Sequence, residues 1–206
     1  MYKFLLLMIF NYVFADGVSS LELFLVSSNK NISADFTQTV YRKKNNQILT
    51  GTMKISRPNR FEWAYNDLDG NMGQRIINDG KKVYIIDKEL EQVTWKKIKN
   101  VFDKSPAMIL AGDNNIKNYY YIKNMNDDEI EWAVLTPREN NNNGFQSIYI
   151  GFAKTSHQLT QMKFVDSFGG KSQIKFTHLK IGTAFNKNSF QFVLPKGYDM
   201  LENAQN

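Results

Sequence analysis

Along most of the chain, apolar and polar residues alternate one for one. Ala34, Phe36 and Val40 share one strand face, and Leu49, Met53 and Ile55 share another. Phe61, Trp63 and Tyr65 alternate with Glu62 and Ala64, and Ile130, Trp132 and Val134 alternate with Glu131 and Ala133. Ile148, Ile150 and Phe152 alternate with Tyr149 and Gly151, while Met162 with Phe164 and Ile174 with Phe176 repeat the theme. Period two sends one set of side chains to a core and the other to water, which is the antiparallel signature. The period lengthens to a helical one in two places. From Val18 to about Asn29, the residues Val18, Leu21, Phe24, Leu25 and Ser28 recur, with Ser19 and Glu22 spaced as a capping box. From Ser105 to Ala111, Ser105 is placed to cap, Pro106 suits a first turn and Gly112 a stop. Turn residues cluster at Arg42–Gln47, Asn66–Asn71, Asn78-Asp79-Gly80, Asn140–Gly144 and Gly169-Gly170. About ten strands with two or three helices predict an α+β chain: a strongly curved antiparallel sheet whose apolar face is covered by helices.

The first residues add a destination. Lys3 is followed by an apolar run from Phe4 to Ala15, with Val13 and Ala15 at the −3 and −1 sites of a cleavage pattern. At this length the run is too short to span a bilayer as a helix, which needs about 20 residues. Residues 1–15 are therefore expected to be a cleaved signal peptide, and 16–206 a single exported domain. There is no cysteine, so neither disulfides nor an N-terminal lipid anchor on cysteine are available to it. The formal net charge is +6, with Lys and Arg spread along the whole chain. No zinc-ligand, recognition-helix or RNA-binding pattern accompanies that charge, and nucleic acid is not an expected partner. Arg42, Lys43 and Lys44 read as a solvated hairpin tip.

Candidate chemistry is sparse. His157 and His178 lack metal-ligand spacing, and Asp127-Asp128-Glu129 reads as a turn without calcium-loop partners. No nucleophile elbow and no phosphate-cradling glycine loop is present, and no cofactor or metal is expected. What stands out is aromatic residues at strand spacing, above all Phe61-x-Trp63-x-Tyr65. Periodicity alone leaves open whether the space they face is packed or hollow.

Several stretches resemble a known family. Asp35-Phe36-Thr37-Gln38 is similar to an S-F-x-Q opening strand, and GTMKISRPNRFEWAY from Gly51 to Tyr65 to a G-x-x-x-x-x-R-P-x-x-F-x-W-x-Y core. NDGKKVYIID (Asn78–Asp87), Gln92-Val93-Thr94, SPAMIL (Ser105–Leu110), Asp166 with Gly169–Phe176, and PKGYD (Pro195–Asp199) follow in order. Together they resemble the periplasmic outer-membrane lipoprotein carriers, the LolA family. The resemblance implies an incomplete antiparallel β-barrel with helices forming a lid over a hydrophobic cavity. In that family an inner-membrane ABC-type complex loads lipoprotein acyl chains, and an outer-membrane acceptor lipoprotein unloads them. It implies a monomeric periplasmic chaperone, not an enzyme. Arg57 takes the place of the arginine that bonds the lid helices and holds the cavity shut. Phe61 and Trp63 line the cavity, with Phe36, Met53, Ile55, Tyr65, Ile150, Phe152, Met162 and Phe164 expected beside them and Leu21, Leu25 and Met108 above. The acceptor family shares the fold but carries a lipidated cysteine, which is absent here. The chain departs from the family at Phe168, in a turn usually polar there. On the residues alone, a carrier of another amphiphile (a glycolipid or free lipid) and a lipid-ester hydrolase remain alternatives.

Overall fold

A computed structural model describes residues 16–26, 31–98, 106–112, 114–138 and 144–202. The expected signal peptide, Ser105, the end of the predicted first helix and the tip 140–143 lie outside the described residues. The strands are β1 (Ile32–Tyr41), β2 (Gln47–Ser56), β3 (Arg60–Asn66), β4 (Met72–Asp79), β5 (Lys82–Asp87) and β6 (Gln92–Lys97), followed by β7 (Tyr120–Asn126), β8 (Ile130–Pro137), β9 (Phe145–Ala153), β10 (Leu159–Asp166), β11 (Lys171–Ile181) and β12 (Asp199–Glu202). Helix α1 spans Gly17–Val26, α2 spans Pro106–Ala111, and a 3₁₀ turn covers Asn114–Asn118.

All the described strands join one open sheet in the order β12-β6-β5-β4-β3-β2-β1-β11-β10-β9-β8-β7. Every neighbouring pair is antiparallel except β12, which runs parallel to β6. Helix α1 packs on β7, β8 and β9, whereas α2 packs on β2 and β3, far away in that order. One side chain nevertheless touches both helices: Arg57 bonds to Phe24 and to Leu110. The sheet must therefore curl around the helices, and its concave face is the core.

Register decides which residues meet there. Phe36 lies opposite Gly51 and Phe176, Met53 opposite Trp63, Ile55 opposite Phe61, and Met162 opposite Ile150 and Ile174. A Cβ on Gly51 would collide with the Ala64 carbonyl and come within 2.7 Å of the Phe36 ring. Glycine there lets the aromatic ring lie across the strand.

Strand β8 departs from the expected facing. Its inward set is Glu131, Ala133 and Leu135, opposite Phe152, Ile150 and Ile148. Trp132 faces outward, packed over Gly151 with Lys163 4.2 Å above its ring, and its indole N–H donates to Asp127 at 2.9 Å. The reason is the helix on the other side. Gly17 of α1 sits so close to the backbone of Trp132 and Ala133 that a Cβ would clash, so only a small side chain fits beneath it. The cap of α1 also differs from expectation. Asp16, not Ser19, is the N-cap, accepting from the Ser19 N–H at 2.8 Å.

The convex face is not uniformly wet either. Ile77, Tyr84, Ile86 and Val93 form a second apolar cluster on the outside of β4–β6, covered by Phe192 and Tyr198 from the C-terminal segment. Phe192 stacks on Tyr84 with centroids 4.1 Å apart, and β12 then pairs with β6. The terminal segment thus covers an apolar face and shields an edge. Phe192→Ala is expected to lower stability by about 1–3 kcal/mol, less than truncation of a fully buried aromatic because the ring is half-buried. Chemical denaturation measures this, and an unchanged midpoint would show that the segment is not holding the cluster together.

Candidate functional site

The concave face collects the residues singled out from the sequence. Phe36, Met53, Ile55, Phe61, Trp63, Ile150, Phe152 and Met162 are each 3% exposed or less, and they share one cluster with Leu21, Leu25 and Met108 from the helices. Tyr65 and Phe164 are half-buried at its margin. The rings interlock: Phe36 meets Trp63 at 4.9 Å and Tyr65 at 5.2 Å, and Trp63 meets Phe176 edge-on at 6.2 Å. The Tyr65 hydroxyl donates to Gln38 at 2.8 Å, and burial pushes its pKa up to about 12, so it stays a neutral donor. Phe24, Ile109, Leu110, Ile116 and Leu135 belong to the same cluster, although sequence spacing had not marked them as site residues. Both helices pack side chains into the concavity.

Open spaces lined by described residues lie beside this packed centre. A groove of about 240 Å³ runs between α1, the 3₁₀ turn and β7, lined by Val18, Leu21, Leu25, Val26, Ile116 and Ile122. A wider cleft of about 590 Å³ opens on the concave side of β2–β5, with Leu49 and Tyr65 as its apolar wall and Gln47, Gln74 and Asp87 among its polar lining.

One side chain bridges the described ends of both helices. Short helices end in unsatisfied carbonyls that carry the negative end of the dipole, and a cation there is favourable. Arg57 serves two such ends at once. Its Nη1 donates to the Phe24 carbonyl of α1 at 2.7 Å, and its Nε donates to the Leu110 carbonyl of α2 at 3.0 Å. The guanidinium also lies 4.4 Å above the Phe24 ring, a cation–π contact. Two residues on, the Asn59 N–H donates to the Ala111 carbonyl at 2.9 Å, so the Arg57–Asn59 turn caps α2 completely enough to fix its end. Asn59 adopts φ 61°, a conformation asparagine tolerates better than most residues. From the α2 side, Met108 Sδ accepts from the buried Asn78 amide at 3.1 Å.

Arg57 is 7% exposed, its acceptors are neutral carbonyls, and among the described residues its buried Nη2 meets no hydrogen-bond acceptor. Burial pushes its pKa down to about 10, so it remains charged at neutral pH.

A polar cluster under α1 has a different character. Ser20 Oγ donates to Glu131 Oε2 at 3.1 Å, and His157 Nδ1 stands 3.0 Å from the same oxygen and 3.3 Å from the serine. A hydrolytic triad needs the imidazole bonded to hydroxyl by one nitrogen and to carboxylate by the other. Here both partners converge on Nδ1, and the serine proton is committed to the carboxylate. The cluster is built as a tie between α1, β8 and the β9–β10 turn. His178 Nδ1 meets Asp35 at 2.8 Å on the exposed outer surface. Asp127 accepts from the Glu129 and Ile130 amides, as the turn reading expected. Among the described residues, no group of three His, Asp or Glu is placed to hold a metal. Arg42, Lys43 and Lys44 form an exposed hairpin tip, and Phe168 stands almost fully exposed at the β10–β11 turn.

A family profile described as outer membrane lipoprotein carrier protein LolA matches residues 27–193. The chain belongs to this family. A relative called outer-membrane lipoprotein carrier protein in Chromobacterium violaceum is 35% identical over 188 residues, covering 91% of this chain and 88% of its own. One of the same description in Neisseria meningitidis is 37% identical over 173 residues, covering 84% and 81%. A crystal structure of an uncharacterized conserved protein from Thermus thermophilus matches with TM-score 0.55 at 10% identity, over 90% of this chain and 98% of that one, a likeness of fold. Within this LolA-family chain, the arginine of the R-P motif occupies the junction of the two helices.

Lysine has one compact ammonium and cannot reproduce the planar fork that reaches two carbonyls. Arg57→Lys is therefore expected to lose about 1.5–3 kcal/mol, one charge-assisted hydrogen bond, and so roughly 3–12 °C in Tm at this chain length. Calorimetry reads it; a Tm equal to that of the parent would mean that the second carbonyl bond contributes nothing.

Proposed function

We propose that this chain is a periplasmic carrier that takes up the acyl chains of lipoproteins released from the inner membrane and delivers them to an acceptor at the outer membrane. The observation that carries this reading is the buried apolar concave face closed by two short helices and latched by one arginine, in a chain of the lipoprotein-carrier family. In this scheme residues 1–15 are a signal peptide removed on export, and the remainder works as a single monomeric domain. An inner-membrane ABC-type complex loads it and an outer-membrane acceptor lipoprotein unloads it. No catalytic step is needed, and the Ser20–His157–Glu131 arrangement offers none of the geometry that lipid-ester hydrolysis would use.

Physical chemistry sets the requirements. Each buried methylene contributes about 0.8 kcal/mol, so several acyl chains cannot travel through water uncovered. A carrier must bury them deeply and still release them without chemistry. A concavity that is filled by its own lid when empty meets both needs: cargo replaces Leu21, Leu25 and Met108 against the same walls, and the opening free energy lowers the apparent affinity. Ile55, Phe61, Trp63, Ile150, Phe152 and Met162 are the walls in this reading, and Arg57 is the latch.

The three tryptophans make a direct test. Trp63 faces the concave side, whereas Trp95 belongs to the outer cluster and Trp132 lies under Lys163 on the outer face. A dipalmitoyl lipopeptide with brominated chains is expected to quench Trp63 and to spare the other two. The Trp63→Phe variant should then show little quenching, and quenching that survives this substitution would place the chains elsewhere. Arg57→Leu should raise the open population, so that lipopeptide binds more tightly and leaves about tenfold more slowly for each 1.4 kcal/mol of lost latch. Stopped-flow transfer to acceptor vesicles measures this, and an unchanged off-rate removes Arg57 from the cycle.

A further inference from the structure

The two ends of α1 are held by different devices. At the N-terminal end, Asn124 of β7 and Asp16 exchange bonds: Asn124 Nδ2 donates to Asp16 at 2.6 Å, and Asn124 Oδ1 accepts from the Val18 N–H at 2.8 Å. One turn on, Ser20 is tied to Glu131 of β8 and through it to His157. Between them Gly17 rests on the β8 backbone with no room for a Cβ. Glu22 pairs with Lys117 of the 3₁₀ turn. These ties reach β7, β8, the β9–β10 turn and the 3₁₀ turn, which are all on one flank. The C-terminal end also reaches across to the opposite flank, through Phe24. Its carbonyl accepts from Arg57 and its ring lies under the guanidinium, while the edge of that ring packs on Phe152 of β9, on the first flank, at 6.1 Å.

We infer that α1 opens as a lever that pivots on Gly17–Ser20 against β8, and that Phe24 is the positioning residue through which an arriving acyl chain releases Arg57. The pivot half rests on the geometry of α1 alone; the Phe24 half also rests on the carrier reading. Phe152 is a wall of the concave face, so a chain spreading over it takes the place of the Phe24 ring. Ring and carbonyl belong to one residue. Where the acyl chain lifts the helix end that carries Phe24 off Phe152, the aromatic face and the carbonyl leave the guanidinium together. The latch then has no α1 partner in Phe24, while α2 keeps its cap from the Asn59 N–H. Because the N-terminal end stays pinned in register, release of the cargo lets the same ring fall back on the same wall. A lid fastened equally at both ends would have to break two unrelated sets of bonds for each chain admitted.

The pivot is tested without lipid, by NMR-detected amide exchange in the full chain. In Arg57→Leu, exchange is expected to rise about tenfold or more at Leu23–Val26 while Val18–Ser20 keep the parent rates. A rise of equal size along all of α1 overturns the lever. The Phe24 half is tested by a double-mutant cycle on the off-rate of a dipalmitoyl lipopeptide. Phe24→Leu keeps an apolar contact on Phe152 and loses the cation–π face. If Phe24 acts through Arg57, Phe24→Leu and Arg57→Leu each slow release, the double variant is no slower than the slower single one, and Phe24→Tyr restores the parent rate. Effects that multiply, or a Phe24→Tyr variant as slow as Phe24→Leu, overturn the coupling. Should the parent chain bind no lipopeptide, the carrier reading and the Phe24 coupling fall together, and the exchange experiment still decides the pivot.

Discussion

A single guanidinium capping two helix ends is the constraint around which the rest of the structure is arranged. The concave face is a continuous apolar surface that needs a cover. The cover is two helices too short to be stable alone, since isolated helices of this length are marginal in water. Their stability comes from packing and from how their terminal carbonyls are satisfied. Arg57 brings one side chain to both helices at once. An ion pair in the same place would hold more firmly, because breaking a buried pair strands a charge. The neutral carbonyl acceptors of Arg57 make a weaker hold than such a pair.

A lid that moves needs a frame that does not. The frame is the sheet, whose long antiparallel ladders hold β1 between β2 and β11. On the convex side, the C-terminal segment covers the Ile77–Val93 cluster and pairs β12 with β6. Glu62, buried on that outer side, is held by Arg75 at 3.0 Å and by Lys54 at 3.5 Å. The apolar mass on the outside of β4–β6 thus backs the wall carrying Phe61 and Trp63. Regions that open are drawn from the less stable part of a structure, and in the proposed cycle that part is the helices.

Much of this was legible in the residues, for physical reasons that differ from place to place. Strands β1, β2, β3, β9, β10 and β11 could be faced correctly because period two tells inside from outside when one side is wet. β8 could not. Trp132 and Ala133 obey the same period, and the larger apolar residue was the natural inward choice; the approach of Gly17 reverses it, and that contact spans more than a hundred residues of sequence. The outer cluster was hidden because alternation assumes one wet face, while Ile77 and Ile86 point at a segment far along the chain. Ser19 looked like a cap by spacing, but the actual cap lies one turn earlier at Asp16, where Asn124 reinforces it. Arg57 is the sharpest case. Beside Pro58 in a turn it resembles any surface arginine, and only the family motif set it apart. Its burial and its two carbonyl partners come from helices that local sequence does not connect to it.

The packed interior also bears on what kind of binding this fold can perform. A preformed void would hold a chain of one length well and release it poorly, because every lost methylene contact would have to be replaced by water. In the proposed carrier, the place of the cargo is taken in this structure by Leu21, Phe24, Leu25 and Met108. Binding exchanges one apolar partner for another, so the net gain is a difference between two burials and can be small even when each is large. Such an exchange is tolerant of chain length, since a lever can stop at more than one height while its pivot stays seated. In the proposed lever, the free energy that decides between the two partners sits at the Phe24–Arg57 contact. A loading or unloading surface that touches that end of α1 would act on the cargo without reaching it.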